Sequence, residues 1–356
     1  MLEFRVNNVL GYGSFATVFQ AISRRGADVG QSYALRHFDR NDDEALKCAL
    51  REHHILTRVA METEQANFLP TLFYSFVLDK SPILVVNKAS GFDFSDVLAE
   101  YFPLNLKDAL FYFSEVTCGL ECLHSLGIVH MDIKPENILL TNSGHIMITD
   151  FNCSYDMIYG RKPPQPEDFR GTIQYMAPEV KDKCCISFKS DTWSMAATLA
   201  RMVSYCLHPS SPLDQLSSSE RIRDDFKSFG EPLQSFFIAC FRRNPDKRPG
   251  VEEIKHMELF RNTNWNTVAS LGQKPPNHIW RISSATKMMR RNMHSWDEQL
   301  LRKLWKGKLD FTVDMGNDGE KSIHQSGRGR VTEEADGLID CFSFVNYKVF
   351  PNKICG

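Results

Sequence analysis

Up to residue 88 the apolar positions fall in short runs bounded by turn-forming residues. Residues 6–19, 32–38, 71–78 and 83–87 are rich in aliphatic and aromatic side chains and are separated by Gly, Asp, Asn or Ser, the pattern of half-buried strands. One stretch interrupts the series: over residues 42–59 apolar side chains return every three or four positions, which predicts an amphipathic helix. From residue 94 onward the period changes, and residues 106–126, 189–207 and 233–242 carry helical spacing. The chain thus predicts an α+β fold, with a small strand-rich unit over residues 1–88 and a larger helical unit over 89–260. Beyond that the pattern dissolves. Lys274-Pro275-Pro276-Asn277, a basic run, a Gly/Asp/Ser-rich stretch at 314–330 and a late aromatic cluster mark residues 261–356 as an extended tail rather than a third core.

Composition narrows the class. At 356 residues, 42% hydrophobic and 24% charged, the chain can bury a large core and is neither disordered nor a small disulfide scaffold. Lys+Arg 42 against Asp+Glu 44 leaves a formal charge of −2, so no global basic field draws it to nucleic acid or anionic lipid; such a partner requires a local patch. The longest aliphatic run, Ile83-Leu84-Val85-Val86, falls far short of the ~20 residues that cross a bilayer. Met1-Leu2-Glu3-Phe4-Arg5 lacks the order of a signal peptide. The expected location is the cytoplasm, with the nucleus left open. The 10 cysteines form no C-x-x-C pair and are expected to be reduced thiols.

Candidate chemistry begins at Gly11-Tyr12-Gly13-Ser14-Phe15-Ala16-Thr17-Val18, between two strand-like runs. Glycines there let backbone N–H groups approach phosphate oxygens closely, although the same pattern also suits an ordinary hairpin. Downstream, Tyr33-Ala34-Leu35-Arg36 puts a cation on a strand, and Glu52 puts a carboxylate on the amphipathic stretch. Such a pair can hold nucleotide phosphates. The strongest signal is His130-Met131-Asp132-Ile133-Lys134-Pro135-Glu136-Asn137. Within eight residues it supplies a carboxylate to accept a hydroxyl proton, a cation to neutralise phosphate and an amide oxygen for a metal. Asp150-Phe151-Asn152 follows, with a carboxylate suited to a hard cation such as Mg²⁺.

With Gly171-Thr172-Ile173-Gln174-Tyr175-Met176-Ala177-Pro178-Glu179, Asp191-Thr192-Trp193-Ser194 and Arg248 in order after them, these motifs resemble the eukaryotic protein kinases. The resemblance implies a bilobal catalytic domain over residues 1–260 that uses ATP and Mg²⁺. It further implies Asp132 as base, Lys134 as γ-phosphate contact, and Asn137 and Asp150 as Mg²⁺ ligands. Gly11, Gly13, Ser14, Val18, Ala34 and Arg36 would face the nucleotide, with Glu52 pairing Arg36, Ala89 in the adenine linker and Asp93 near the ribose. Glu179 and Arg248 would form a supporting ion pair, and Asp191 would accept from the catalytic-loop backbone. Lys134 in D-x-K-P-E-N is similar to serine/threonine kinases, so the implied partners are protein substrates with Ser or Thr acceptors. Glu136 and Asp93 favour a basic context around them.

Ser143-Gly144-His145-Ile146, Asn264-Trp265, Pro275-Pro276 and Ile339-Asp340-Cys341-Phe342-Ser343-Phe344 resemble the AGC group, in particular its ribosomal-protein kinase branch. That resemblance implies residues 261–356 as a regulatory tail, its aromatics entering a groove beside the Glu52 helix, and Ser343 as a site for an upstream kinase. A sticky, disordered tail is the alternative. Several residues depart from the pattern. Arg36 stands where the family has lysine, and its planar fork cannot present a point charge to two phosphates. Met131 replaces an arginine that holds a phosphorylated loop, while Asp168 stands at the phosphorylated position, so phosphorylation of that loop is not expected to be the switch. Asn152 and Ala16 replace glycines. A second reading therefore stays open, a nucleotide-binding pseudokinase with impaired catalysis. The basic, Met/Trp/Leu-interleaved segment 280–308 reads either as a helix lying on the large unit or as a surface for a membrane or acidic partner.

Overall fold

In the computed structural model, described over residues 2–160, 162–204, 219–279, 310–313 and 342–346, the first ordered elements are β1 (Leu2–Tyr12), β2 (Ala16–Ser23), β3 (Ser32–Phe38), α1 (Asp43–Glu62), β4 (Leu72–Leu78) and β5 (Ser81–Asn87). There follow β6 (Phe92–Asp93), α2 (Phe94–Tyr101), α3 (Leu106–Ser125), β7 (Ile128–Val129), β8 (Ile138–Leu140), β9 (Ile146–Ile148) and β10 (Tyr155–Asp156). The remainder comprises α4 (Pro178–Lys181), α5 (Phe188–Val203), α6 (Ser219–Asp225), α7 (Glu231–Cys240), α8 (Val251–Lys255), α9 (Trp265–Ala269), β11 (Asp310–Val313) and β12 (Phe344–Val345). The predicted helix over 189–207 stops at Val203, where Ser204 turns extended. The basic segment 280–308, Ile339, Asp340 and Cys341 lie outside the described residues.

Two compact units result. The first holds residues 2–60 and 71–88 with the described tail residues 310–313 and 342–346. Its strands form one antiparallel sheet in the order β11-β1-β2-β3-β5-β4-β12, so tail strands cover both edges. Alternation decides the faces: Phe4, Val6, Phe19, Ala21, Tyr33, Leu35, Tyr74, Phe76 and Val85 form one buried cluster that Val313 joins. Inside it the Tyr33 and Tyr74 hydroxyls donate to the Asp28 carboxylate at 2.8 and 2.9 Å, which satisfies polar groups that burial would otherwise penalise. Helix α1 buries Ala45, Cys48, Ala49, Glu52, Ile55, Leu56 and Val59, a stripe at three- and four-residue spacing.

The late tail seats on this unit. Phe342 is fully buried and stacks on His53 of α1, with ring centroids 4.6 Å apart. Burying one aromatic side chain stabilises by roughly 1.5–3 kcal/mol. Phe344 and Val345 pair with Ser75 and Tyr74, and Asn346 donates its backbone N–H to Phe73 O and its amide to Leu72 O, both at 2.9 Å.

The second unit holds residues 61–70 and the described part of 89–279. Residues 61–70, which the sequence pattern groups with the strands, belong here because Ile148 N donates to Phe68 O at 2.8 Å and Asn67 donates to Ala269 O at 2.7 Å. Helix α3 is the spine, and its Phe113 meets Phe236 and Phe260 at 5.5 and 5.9 Å. A short three-stranded sheet, β6-β8-β9, and the two-stranded β7-β10 carry the loops that hold the chemistry. As the family resemblance implied, Arg248 forks onto Glu179, Nη1 to Oε1 at 2.7 Å and Nη2 to Oε2 at 2.9 Å.

Two outcomes follow from these contacts. Arg248→Ala leaves Glu179, 5% exposed, as an unpaired buried charge, and urea titration should read a loss of about 3–5 kcal/mol. His53 is lowered from its ordinary value to about 4 by burial and by its neighbour His54. Its neutral form is therefore the folded one: stability is complete above the unfolded value near 6.5 and is lost as pH falls toward about 4. Denaturation of His53→Gln should lack about 3 kcal/mol of the wild-type loss across that window; an identical slope in both proteins would refute it.

Candidate active site

The loop after β7 owes its shape to a carboxylate beneath it. Asp191, fully buried near the start of α5, accepts from His130 N and Met131 N, both at 2.8 Å, and from His124 Nε2 at 2.9 Å. Those bonds compensate for a left-handed backbone at Met131, φ 70°, which a side-chain-bearing residue adopts only under such constraint. His130 is buried, donates from Nε2 to Thr149 O at 3.2 Å, and sits edge-on to Phe151 at 5.1 Å. Burial keeps its imidazole below the ordinary value despite the surrounding carboxylates.

Asp132 then projects from a fixed frame. Lys134 Nζ donates to its Oδ2 at 2.7 Å, Asn137 Nδ2 to the same oxygen at 2.9 Å, and Thr172 N to Oδ1 at 2.7 Å. Burial works to raise the carboxyl, but the Lys134 charge and the hydrogen bonds from Lys134 and Thr172 outweigh it and hold it below its usual range. Burial works to lower Lys134, and Asp132 outweighs that in turn, so the ammonium titrates higher than usual. Each ion thus fixes the other's charge. A carboxylate so held can accept a hydroxyl proton, and an ammonium beside it can neutralise a transferring phosphoryl group.

Thr172 makes a contact with the catalytic loop that motif reading did not foresee. Its hydroxyl accepts from Lys134 Nζ at 2.6 Å while its N–H meets Asp132, so the Gly171-Thr172 step ties a distant loop to the catalytic one. The only advance signal was its place after a glycine. Gly171 has φ +134°, and a Cβ there would lie 2.6 Å from Met131 O. Buried Met131, 3% exposed, thus meets the segment through its backbone. Asp168 caps its own turn, accepting from Gln165 N at 2.8 Å.

The oxygen donors suit a hard divalent cation. Asn137 spends its amide nitrogen on Asp132 O and Oδ2, which leaves the carbonyl oxygen as the donor toward a metal. Asp150 follows β9 in a left-handed conformation, φ 71°, and is close enough to contribute to the charge environment of His130 and Lys134. The left-handed residue of this triplet is Asp150 rather than Asn152, so replacing glycine by Asn152 demands no unusual backbone angle.

The remaining expected nucleotide residues divide between the units. In the first, Gly11 and Val18 face each other across β1 and β2, and Gly13 N donates to Ala16 O at 2.8 Å to close the turn that exposes Ser14. A Cβ on Gly11 would meet nothing within 4 Å, so its backbone is open to a ligand. Ala34 and Arg36 lie on β3, and Arg36 Nη2 reaches Glu52 Oε2 at 2.9 Å with both side chains largely buried. In the second unit Ala89 is buried, and Asp93 serves as N-cap of α2, accepting from Asp96 N at 3.1 Å. Ser343 is exposed beside buried Phe342.

Gly171→Ala is the sharpest probe of this geometry. The added methyl collides with the Met131 carbonyl in a backbone region hostile to alanine, at about 1–3 kcal/mol. Limited proteolysis should then cut between residues 157 and 177 faster than in wild type. An unchanged digestion rate would refute the contact.

Residues 4–260 match the family described as Protein kinase domain. The chain is 34% identical over 286 residues to Ribosomal protein S6 kinase alpha-2 of Homo sapiens, covering 77% of this chain and 38% of that protein. It is 35% identical over 267 residues to Putative ribosomal protein S6 kinase alpha-1 of Caenorhabditis elegans, covering 72% and 33%. It is 32% identical over 284 residues to Ribosomal protein S6 kinase alpha-6 of Homo sapiens, covering 77% and 37%. The chain therefore spans between a third and two fifths of the length of these relatives. Asp132 is held by Lys134 and Thr172, Asp191 supports the loop from below and Arg248 pairs with Glu179, and by these matches the chain belongs to the protein kinase domain family, with AGC-like resemblance.

Proposed function

We propose that this kinase is catalytically competent and transfers the γ-phosphoryl of Mg-ATP to Ser or Thr hydroxyls of protein substrates. The observation that carries the reading is the Asp132 carboxylate, ionised and oriented by Lys134, Asn137 and Thr172. Bound Mg-ATP would supply the phosphoryl group, with Asn137 and Asp150 as the metal donors. Asp132 would orient the acceptor hydroxyl and take its proton. Lys134 would neutralise the phosphoryl oxygens as that hydroxyl attacks. Arg36, fixed by Glu52, would hold the nucleotide phosphates from β3. Lys134 within D-x-K-P-E-N supports Ser/Thr acceptors, and exposed Glu136 supports a basic residue beside them. An upstream kinase acting on exposed Ser343, and residence in the cytoplasm or nucleus, complete the reading. No helix of the described residues is long and apolar enough to cross a membrane.

Arg36 favours a second reading, a pseudokinase that binds nucleotide but turns over poorly. Its wider planar head already directs Nη2 to Glu52 Oε2, and a misplacement of ~1 Å in a phosphate clamp costs on the order of 10²-fold.

Two assays on the full chain separate these readings: thermal shift with Mg-ATP, and labelled-phosphate transfer to a basic Ser-containing peptide. Competence predicts transfer by wild type, a loss of about 10²–10⁴-fold in Asp132→Asn, and nucleotide-induced stabilisation in both. Transfer by Arg36→Lys but not by wild type establishes the second reading. Absence of any nucleotide-induced shift removes both. Because Asp168 caps its own turn and Met131 supplies no cation, phosphatase treatment of Ser343→Ala, in which the tail site is already removed, should leave the transfer rate unchanged.

A further inference from the structure

The second unit carries a charged surface that the active site does not use. The Arg248–Glu179 ion pair is its foundation. Arg248 also donates to Lys189 O at 2.6 Å and to Arg242 O at 2.9 Å, so one buried guanidinium draws together residues 181–189 and 242–247, segments far apart in sequence. Around it stand six cations, Lys181, Lys183, Lys189, Arg242, Arg243 and Lys247, and two acids, Asp182 and Asp246. All are exposed except half-buried Lys189. The contacts between the segments are direct. Arg243 Nη2 lies 3.7 Å from Asp182 Oδ2, with the two side chains 55% and 57% exposed, and Lys189 Nζ donates to Asp246 O at 3.3 Å. A chain whose formal charge is −2 thus concentrates a local excess of positive charge on loops whose backbones a buried ion pair holds together.

We propose that this surface is a docking site for an Asp/Glu-rich segment of a protein partner. Charge complementarity selects an anionic occupant, and the composition of the patch selects among anions. The exposed large apolar side chains of the described residues are Tyr12, Val29, Leu50, Met61, Ile158, Tyr159 and Ile173, and none lies in 181–189 or 242–247. The patch therefore offers a membrane no apolar wedge and nucleobases no exposed ring on which to stack. Asp182 and Asp246, set among the cations, repel a uniform phosphate backbone. A peptide can instead place carboxylates opposite the cations and a neutral or basic residue opposite each Asp.

The test is fluorescence anisotropy of a fluorescein-labelled Asp/Glu decapeptide with the full chain, compared with a Gln/Asn decapeptide, phosphatidylserine vesicles and a single-stranded RNA oligonucleotide. The acidic peptide should bind, weaken as sodium chloride rises from about 50 to about 200 mM, and lose about tenfold or more in affinity in K183E/R243E. The remote charge reversal K107E should leave binding unchanged. Thermal melting checks that the double variant folds; where it does not, K183Q/R243Q, which removes charge without adding repulsion, carries the comparison. Equal binding of both decapeptides, undiminished affinity in the variant, or tighter binding of vesicles or RNA than of the acidic peptide would overturn the proposal.

Discussion

Burial of a carboxylate normally favours its protonated form, because a charge removed from water loses its hydration. Asp132 is 4% exposed and still sits below the usual range, since Lys134 and Thr172 restore in fixed geometry what water would have supplied. Lys134 depends on the same contact from the other side. Neither group could be removed without leaving the other a buried, poorly compensated charge. The surrounding architecture can be understood as what keeps this pair in register: Asp191 under the loop, Asn137 beside it, and the Gly171-Thr172 step closing over it.

The same logic of buried charge recurs at the foot of the second unit. Arg248 is 1% exposed, and besides Glu179 it accepts the task of tying down two backbone carbonyls. A guanidinium suits that position because its five donors fan out in a plane and can satisfy a carboxylate and separate carbonyls together. The consequence reaches the surface, where loops distant in sequence share one electrostatic field. In the first unit Arg36 plays a related part with Glu52, and there the planar fork is a constraint as well as a support.

The first unit also shows how a sheet with two exposed edges is closed. Strand β11 registers Leu2 to Val313 and Arg5 to Asp310, and β12 registers Phe344 to Ser75. Unpaired edges invite association with other chains, and here pieces of the tail occupy both. Phe342 adds a stacked aromatic on His53, and His53 in turn shares a 2.9 Å hydrogen bond with Ser75. Helix, sheet edge and tail therefore meet at one neutral imidazole.

Local pattern was enough to recover much of this protein. The strands at 32–38 and 72–78, the α1 stripe and the D-x-K-P-E-N loop are legible because period and residue type report which side of a segment is buried and which chemistry it can carry. Arg36 and Glu52 could be named as partners, since a cation on a strand and a carboxylate on a helix constrain each other. What only the tertiary structure decided involves contacts made across long separations in sequence. Thr172 holds Asp132 from forty positions away, residues 61–70 pack with the helical unit through Ile148 and Ala269, and two tail pieces become edge strands of a sheet begun at Leu2. No periodicity encodes such pairings. They are set by which buried polar groups and sheet edges remain to be satisfied once the local elements have formed, and that is a property of the assembled chain.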